Sequence, residues 1–363
     1  MTPFSFQNVG LMVKMFIMKA KRIIDIGFGK RTLYELLKST KISSRHQYGL
    51  AQLEDRYTIF HVSLEHQGIV GTFKNNLKVL GNYDVIFMSY LYLSPLILLS
   101  LLRVFGLYRR RKLIVVSHIT LVAGHNSFEK LCNQLIYSTC NKVLFHSQKN
   151  LEESINKGLI RPEQAEFLYW GDDLEYIDTH IRPSQGEYFL STGREQRDFS
   201  LLVSAFSKTN AKLELYTNKI NSNNNYGYLS KLQELSPNIK IVFVEKDMET
   251  IRFLAEKSAE CMCIVIPLLQ TEIHYCVGLT SIVEAMAMGK PVICSRNPYS
   301  PIDIEKEGIG LVVDDEVSWI KAINWMKTHP VERHQMGIRA RKLAEQKFNI
   351  NKCSKQLDRL FNQ

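Results

Sequence analysis

The sequence predicts an α/β chain built from two parallel sheets, each flanked by helices, that face one another across a cleft. Three observations carry this. Strand-like runs alternate with helical patterns through the first half, beginning with "RIIDIGFGKRTLYELLKS". The alternation breaks near residue 180, at "DTHIRPSQGE", and starts afresh with "YFLSTG", "KLELYT", "IKIVFV", "CMCIVIP" and "PVICS". A chain of 363 residues with 45% hydrophobic and 23% charged content is also too long for one ordinary core and suits two. Strands separated by helices imply right-handed crossovers and parallel pairing. The expected units are residues 1–180, residues 181–345 and a helical tail over 346–363 that packs back toward the first unit.

Taken in order, residues 1–22 mix apolar and basic side chains without a small-residue cleavage site, so they read as a helix, a surface anchor or in part an over-extended start rather than a signal peptide. A strand follows at Arg22 to Ile26, then a glycine loop over 27–29 and a helix from Thr32. The next strands are "YTIFHV", "YDVIFMS", "KLIVVSH", "KVLFHSQ" and "AEFLYW". Residues 85–102, "VIFMSYLYLSPLILLSLL", are uncharged and formally resemble a membrane span. Strand composition in "YDVIFMS", followed by Ser94 as a cap and Pro95 in a first turn, instead divides the run into a buried strand and a separate helix. That helix and its basic end, "RVFGLYRRRK", suit the surface of an anionic membrane. Helices are expected over "NSFEKLCNQLIYST" and "KNLEESINKGL", and the asparagine-rich "NKINSNNNYGY" reads as a mobile loop.

Composition narrows the function. The formal net charge is +10, of which residues 1–180 carry +7, so an anionic surface or substrate is expected. No zinc finger, RNP-like signature or long basic run points to nucleic acid. Seven scattered cysteines with no C-x-x-C pair fit a reduced, cytoplasmic setting and no zinc site, with Cys261 and Cys263 alternating as buried strand residues.

Ligands of parallel sheets sit beyond the carboxyl ends of strands, which singles out Gly27, Gly29, His118, Gly193, Arg194 and Gly278. Residues 278–293, "GLTSIVEAMAMGKPVI", make a loop, helix and strand. Gly278 and Leu279 form the turn, Thr280 or Ser281 caps the helix, Gly289 ends it, and Pro291 opens the strand. Such a start leaves amides unpaired with a positive dipole end behind them, which suits a diphosphate. Ser281 and Glu284 also stand at capping-box spacing, in which the acid only reaches back to its own helix. "IGFGKRT" lacks the third glycine and the distant acid of a dinucleotide loop, and reads as a turn where backbone approaches ligand. "GDD" at 171–173 and "DDE" at 314–316 read as a crossover turn and a solvated loop.

These residues resemble the GT-B fold glycosyltransferases that use a nucleotide sugar, in particular the large group whose donor domain carries "EAMAxGKPVI". The matching stretches are "YFLSTGREQRDFSLLVSAF", "CIVIPL", "GLTSIVEAMAMGKPVI" and "PIDIEKEGIGLVV", in that order, with "HSQKNLEESI" and "FLYWGDD" in the first half. The resemblance implies two Rossmann-like domains facing a cleft and sugar transfer from a nucleotide diphosphate sugar. It implies that Thr280 and Ser281 hold the diphosphate, that Glu284 binds the ribose hydroxyls, and that Arg194 and Arg197 neutralise the leaving group. His118, at the end of "LIVVSH", is the candidate cleft histidine, as base or as backbone support. Base recognition is expected near Val244. With no Asp-x-Asp in the chain, neither a metal nor a separate cofactor is expected. Many relatives carry a first glutamate where Cys276 stands here. The acceptor is expected to be a glycan or lipid-linked glycan in polysaccharide or glycolipid synthesis, at the inner face of the cell membrane. A nucleotide-sugar 2-epimerase of the same architecture and a catalytically silent binding partner are the competing readings.

Overall fold

A computed structural model describes residues 20–27, 42–62, 77, 79–221, 224–233, 236–245, 248–269 and 275–363. The expected elements over 1–19 and from Thr32, together with Gly29, lie outside these residues.

The first half forms a sheet of β1 (Arg22–Ile26), β2 (Thr58–Val62), β3 (Val85–Met88), β4 (Lys112–Ser117), β5 (Lys142–Phe145) and β6 (Ala165–Phe167). Helices α1 (Leu93–Val104), α2 (Ser127–Ser138) and α3 (Gln148–Asn156) connect its later strands, and α4 (Leu174–His180) follows it. The second sheet holds β7 (Tyr188–Thr192), β8 (Lys212–Thr217), β11 (Ile239–Phe243), β12 (Cys263–Ile266), β13 (Val292–Ser295) and β14 (Gly310–Val313). A separate antiparallel pair, β9 (Ile220–Asn221) and β10 (Asn224–Asn225), stands in place of the expected loop. The remaining helices are α5 (Phe199–Ser207), α6 (Leu229–Gln233), α7 (Met248–Glu260), α8 (Leu279–Ala287), α9 (Glu316–Thr328), α10 (Pro330–Gln346) and α11 (Ile350–Asn362).

Both six-stranded sheets are parallel throughout, in the orders β2-β1-β3-β4-β5-β6 and β11-β8-β7-β12-β13-β14. Helices cover both faces of such sheets, so their strands are continuous apolar runs. Ile23, Ile24 and Ile26 of β1 are fully buried, as are Cys263 and Val265 of β12. In each sheet the order reverses beside the first strand, between β1 and β3 and between β7 and β12. Ligands gather at such a switch point, outside the carboxyl ends.

The uncharged run over 85–102 divides into β3 and α1, and among the described residues no helix is long and apolar enough to cross a membrane. Tyr92 occupies the cap position of α1 and its side chain makes no capping bond, so Ser94 lies inside the first turn rather than capping it. The chain returns to the first sheet at its end. The last helix buries Cys353, Leu357, Leu360 and Phe361 in a core cluster that includes Ile23 and Phe87 of the first sheet and Leu190 and Ile264 of the second.

Candidate active site

The helix α8 begins where β12 has ended, and its first turn is set by Gly278. This residue takes φ of 86°, a left-handed conformation that costs glycine nothing. A side chain there would also come within 3.1 Å of Leu268. Gly278 therefore occupies the cap position, correcting the expectation that Thr280 or Ser281 caps the helix. The amide of Leu279 donates to the Cys276 carbonyl at 3.1 Å, and that of Ile282 closes the first helical bond to Gly278 at 3.0 Å. Between them the amides of Thr280 and Ser281 have no partner among the described residues. Thr280 is exposed, and the Ser281 side chain is turned inward, donating to the Thr192 carbonyl at 3.2 Å.

The facing wall is the carboxyl end of β7. Arg197 is buried and reaches Ser281 Oγ through Nη2 at 3.3 Å, while Nη1 donates to the Glu195 carbonyl at 2.7 Å. Its Nε is buried with no partner among the described residues. Burial lowers the Arg197 pKa from its usual value. Gly193 makes room for this guanidinium, since a side chain there would meet Arg197 Nε at 2.6 Å. Tyr226, brought in after β10, accepts from the Arg197 amide at 3.4 Å, so the asparagine-rich insert buttresses this wall. Arg194 is half-buried and close enough to His46 to disfavour its protonation.

Glu284, nearly two turns into α8, does not reach back to its own helix start. Its Oε1 accepts from Ser258 Oγ at 2.6 Å and its Oε2 from Arg45 Nη1 at 3.2 Å. The same Arg45 nitrogen donates to Asp172 Oδ2 at 2.8 Å. Asp172 is fully buried and also accepts from Ser43 Oγ at 2.5 Å. Burial opposes the Arg45 charge, but Asp172 and Glu284 outweigh it and hold the guanidinium protonated. Burial likewise opposes the Asp172 charge, and Arg45 with Ser43 reverses the effect, so its carboxyl stays ionised. The sequence marked "GDD" only as a turn; its middle residue is an ion-pair hub.

The carboxyl end of the first sheet, which meets the loop before α8, is aromatic. His118 Nε2 shares a hydrogen bond with Tyr48 Oη at 2.8 Å, and its ring stacks on Tyr90 at 5.1 Å. Tyr48 stacks in turn on His146 at 5.5 Å. Burial depresses the His118 pKa to about 4. Its carbonyl accepts from Cys276 Sγ at 3.1 Å and from Asn150 Nδ2 at 3.2 Å, which joins the end of the first sheet to the loop before α8.

Gly193, Arg197, Gly278, Leu279 and Ser281 thus meet at the switch point of the second sheet, with Arg194 and Glu284 beside them. Gly27 belongs elsewhere, at the end of β1 in the first sheet. Its amide donates to Val62 and its carbonyl accepts from Tyr92 Oη at 2.8 Å, so the close approach is to the Tyr92 ring. Val244 follows β11, at the edge of the second sheet. Its amide donates to Thr217 and its carbonyl accepts from Asn218, so its backbone is already engaged. Arg45, Tyr48, Asp172 and Ser258 were not singled out in the sequence.

Residues 180–343 match the family model of glycosyl transferases group 1. No curated protein matches the chain in sequence. Among solved structures, that of Anabaena HepE in complex with UDP is 16% identical, covers 94% of this chain and 99% of its own, and superposes with a TM-score of 0.63. A glycosyltransferase from Rickettsia africae is 14% identical, with 95% and 98% covered and a TM-score of 0.66. The apo structure of OtsA is 10% identical, with 94% and 99% covered and a TM-score of 0.66. These likenesses show the two-sheet GT-B architecture.

Proposed function

We propose that this chain, a glycosyltransferase of group 1 by its residues 180–343, moves a sugar from a nucleotide diphosphate sugar to a hydroxyl of a glycan or lipid-linked glycan. The observation that carries the reading is the pair of open amides at Thr280 and Ser281, facing the strand end that bears Arg194 and Arg197. Amides at a helix start bind a diphosphate and stabilise the charge that grows on it as the sugar departs. The buried Arg197 holds Ser281 and directs a desolvated positive charge at the same place. Arg194, next to the open end of β7, is the second positive charge. With these supplying the charge, the leaving group needs no metal.

Glu284 takes the ribose. A carboxylate has about four lone-pair sites, so the bonds from Ser258 and Arg45 orient it and leave acceptor capacity for vicinal hydroxyls. His118 acts as a positioning residue through its carbonyl, because a ring with a pKa of about 4 is a weak proton acceptor near neutrality. The UDP and UDP-glucose described with HepE make UDP sugars the first donors to test. The acceptor is taken up at the inner face of a membrane.

The test is binding and UDP release with UDP-glucose. Arg194→Ala is expected to slow release about 100-fold with the unfolding midpoint little changed, and Glu284→Gln to weaken nucleotide binding about tenfold. Wild-type behaviour in both variants would refute the site. A new sugar nucleotide formed from donor alone, with no acceptor, would point to an epimerase instead.

A further inference from the structure

The strand order runs β1-β3-β4-β5 in one direction, so the right-handed crossovers through α1 and α2 lie side by side on one face of the first sheet. Their contact is visible in Ser100 of α1, whose hydroxyl bonds the Ile136 carbonyl of α2 at 3.2 Å and Thr139, just beyond that helix, at 2.9 Å. The sheet covers only one side of α1, where Leu96, Leu99 and Ser100 are buried. The other side is equally apolar and uncovered: Leu93, Ile97, Leu101 and Val104 recur at helical spacing, and Phe105 beyond them is 80% exposed. On α2, Phe128, Leu131 and Leu135 repeat the pattern at 75%, 63% and 54% exposure. A soluble monomer rarely leaves so large a contiguous apolar face in water.

The charge around this face has one sign. Between residues 85 and 149 the chain carries eight Lys and Arg and a single acid, Glu129. That acid is used at the start of α2, accepting from the His125 amide and from Asn126. Arg109, Arg110 and Lys130 stand exposed at the margins. An apolar helical face rimmed by basic residues matches the boundary of an anionic bilayer, where acyl chains lie under negative headgroups. We infer that the outer face of α1 and α2 docks onto an anionic lipid surface. The start of α1 lies beside the cleft, where Tyr92 touches Gly27 and Tyr90 stacks on His118. Docking therefore brings the acceptor side of the cleft to the headgroups. This last consequence rests on the function proposed above; the docking itself does not.

Flotation of the full chain with phosphatidylcholine vesicles containing phosphatidylglycerol, against phosphatidylcholine alone, tests the assignment. The chain is expected to float with the anionic vesicles only. Leu101→Gln with Phe105→Gln should weaken binding about tenfold or more, as should Arg110→Gln with Lys130→Gln at low salt. Both pairs are exposed, so unfolding midpoint and UDP binding should be unchanged. Failure to float, or flotation of the Gln pairs equal to wild type, overturns the assignment. So does a dimer that the same substitutions dissolve while vesicles are ignored, since a second copy would then be the occupant. Docking without UDP binding would sink the donor reading and leave this one standing.

Discussion

Arg45 lies between Asp172 and Glu284 with its side chain 12% exposed, so one guanidinium ties the turn between the sheets to the carboxylate of α8. Removing one partner of such a pair typically costs about 3–5 kcal/mol, because the other charge is left buried and alone. Around it, burial depresses three rings from their usual 6.5: His46 to about 3 with Arg45 assisting, His118 to about 4, and His146 to about 3 with His118 assisting. His118 Nδ1 and His146 Nε2 are accordingly buried with no partner among the described residues. The unfolded chain takes up these protons as pH falls through about 6.5, whereas the folded chain refuses them until about pH 4 or below. Stability is therefore full above neutrality and is lost as pH falls through that window, by about 1.4 kcal/mol per pH unit for each ring. Urea midpoints near pH 7.5 and pH 5 check this; we expect a clear drop at the lower pH, smaller in His146→Asn, and equal midpoints would contradict it.

The start of α8 shows what an element owes to one residue. Because Gly278 turns the chain in the left-handed region, the helix opens without a side-chain cap and Ser281 is freed to bond Thr192. Gly278→Ala should cost about 1–2 kcal/mol in backbone strain and weaken donor binding more than stability alone accounts for. A thermal melt and a UDP titration check the two together; unchanged nucleotide affinity would show that the turn does not shape the amide pair. Elements of this size were legible in the sequence where local pattern decides them. The β-branched runs of β4, β12 and β13 announce buried strands, and "GKP" announces the stop of α8. In the second sheet the candidate residues were legible for the same reason: Arg194, Ser281 and Glu284 sit in contiguous motifs. Arg45 was not, because its short 3-10 turn has no amphipathic period and its partners are 127 and 239 residues away. The β9–β10 pair was missed because asparagines carry little strand propensity, and tertiary contact at Tyr226 fixes it.

At the scale of the whole molecule, the chain passes between its sheets twice at one place. Asp172 on the outward crossing pairs in a bridge with Asn349 on the return, and the Ile350 amide donates to the Asp172 carbonyl at 2.9 Å. Beyond that point α11 lies on the first sheet. Phe361 is fully buried, edge-on to Tyr57 at 5.6 Å and to Phe87 at 6.2 Å. Lys21 and Lys112 both donate to its carbonyl at 3.0 Å. Phe361→Ala should cost about 3–5 kcal/mol, and a chain stopped after Gln346 should melt earlier or fail to stay in solution. Differential scanning calorimetry checks both; an unaltered melting profile in the shortened chain would show that the helix is dispensable. Synthesis proceeds from the other end, so the strands of the first sheet are translated well before α11, and their apolar side stays open until that helix follows.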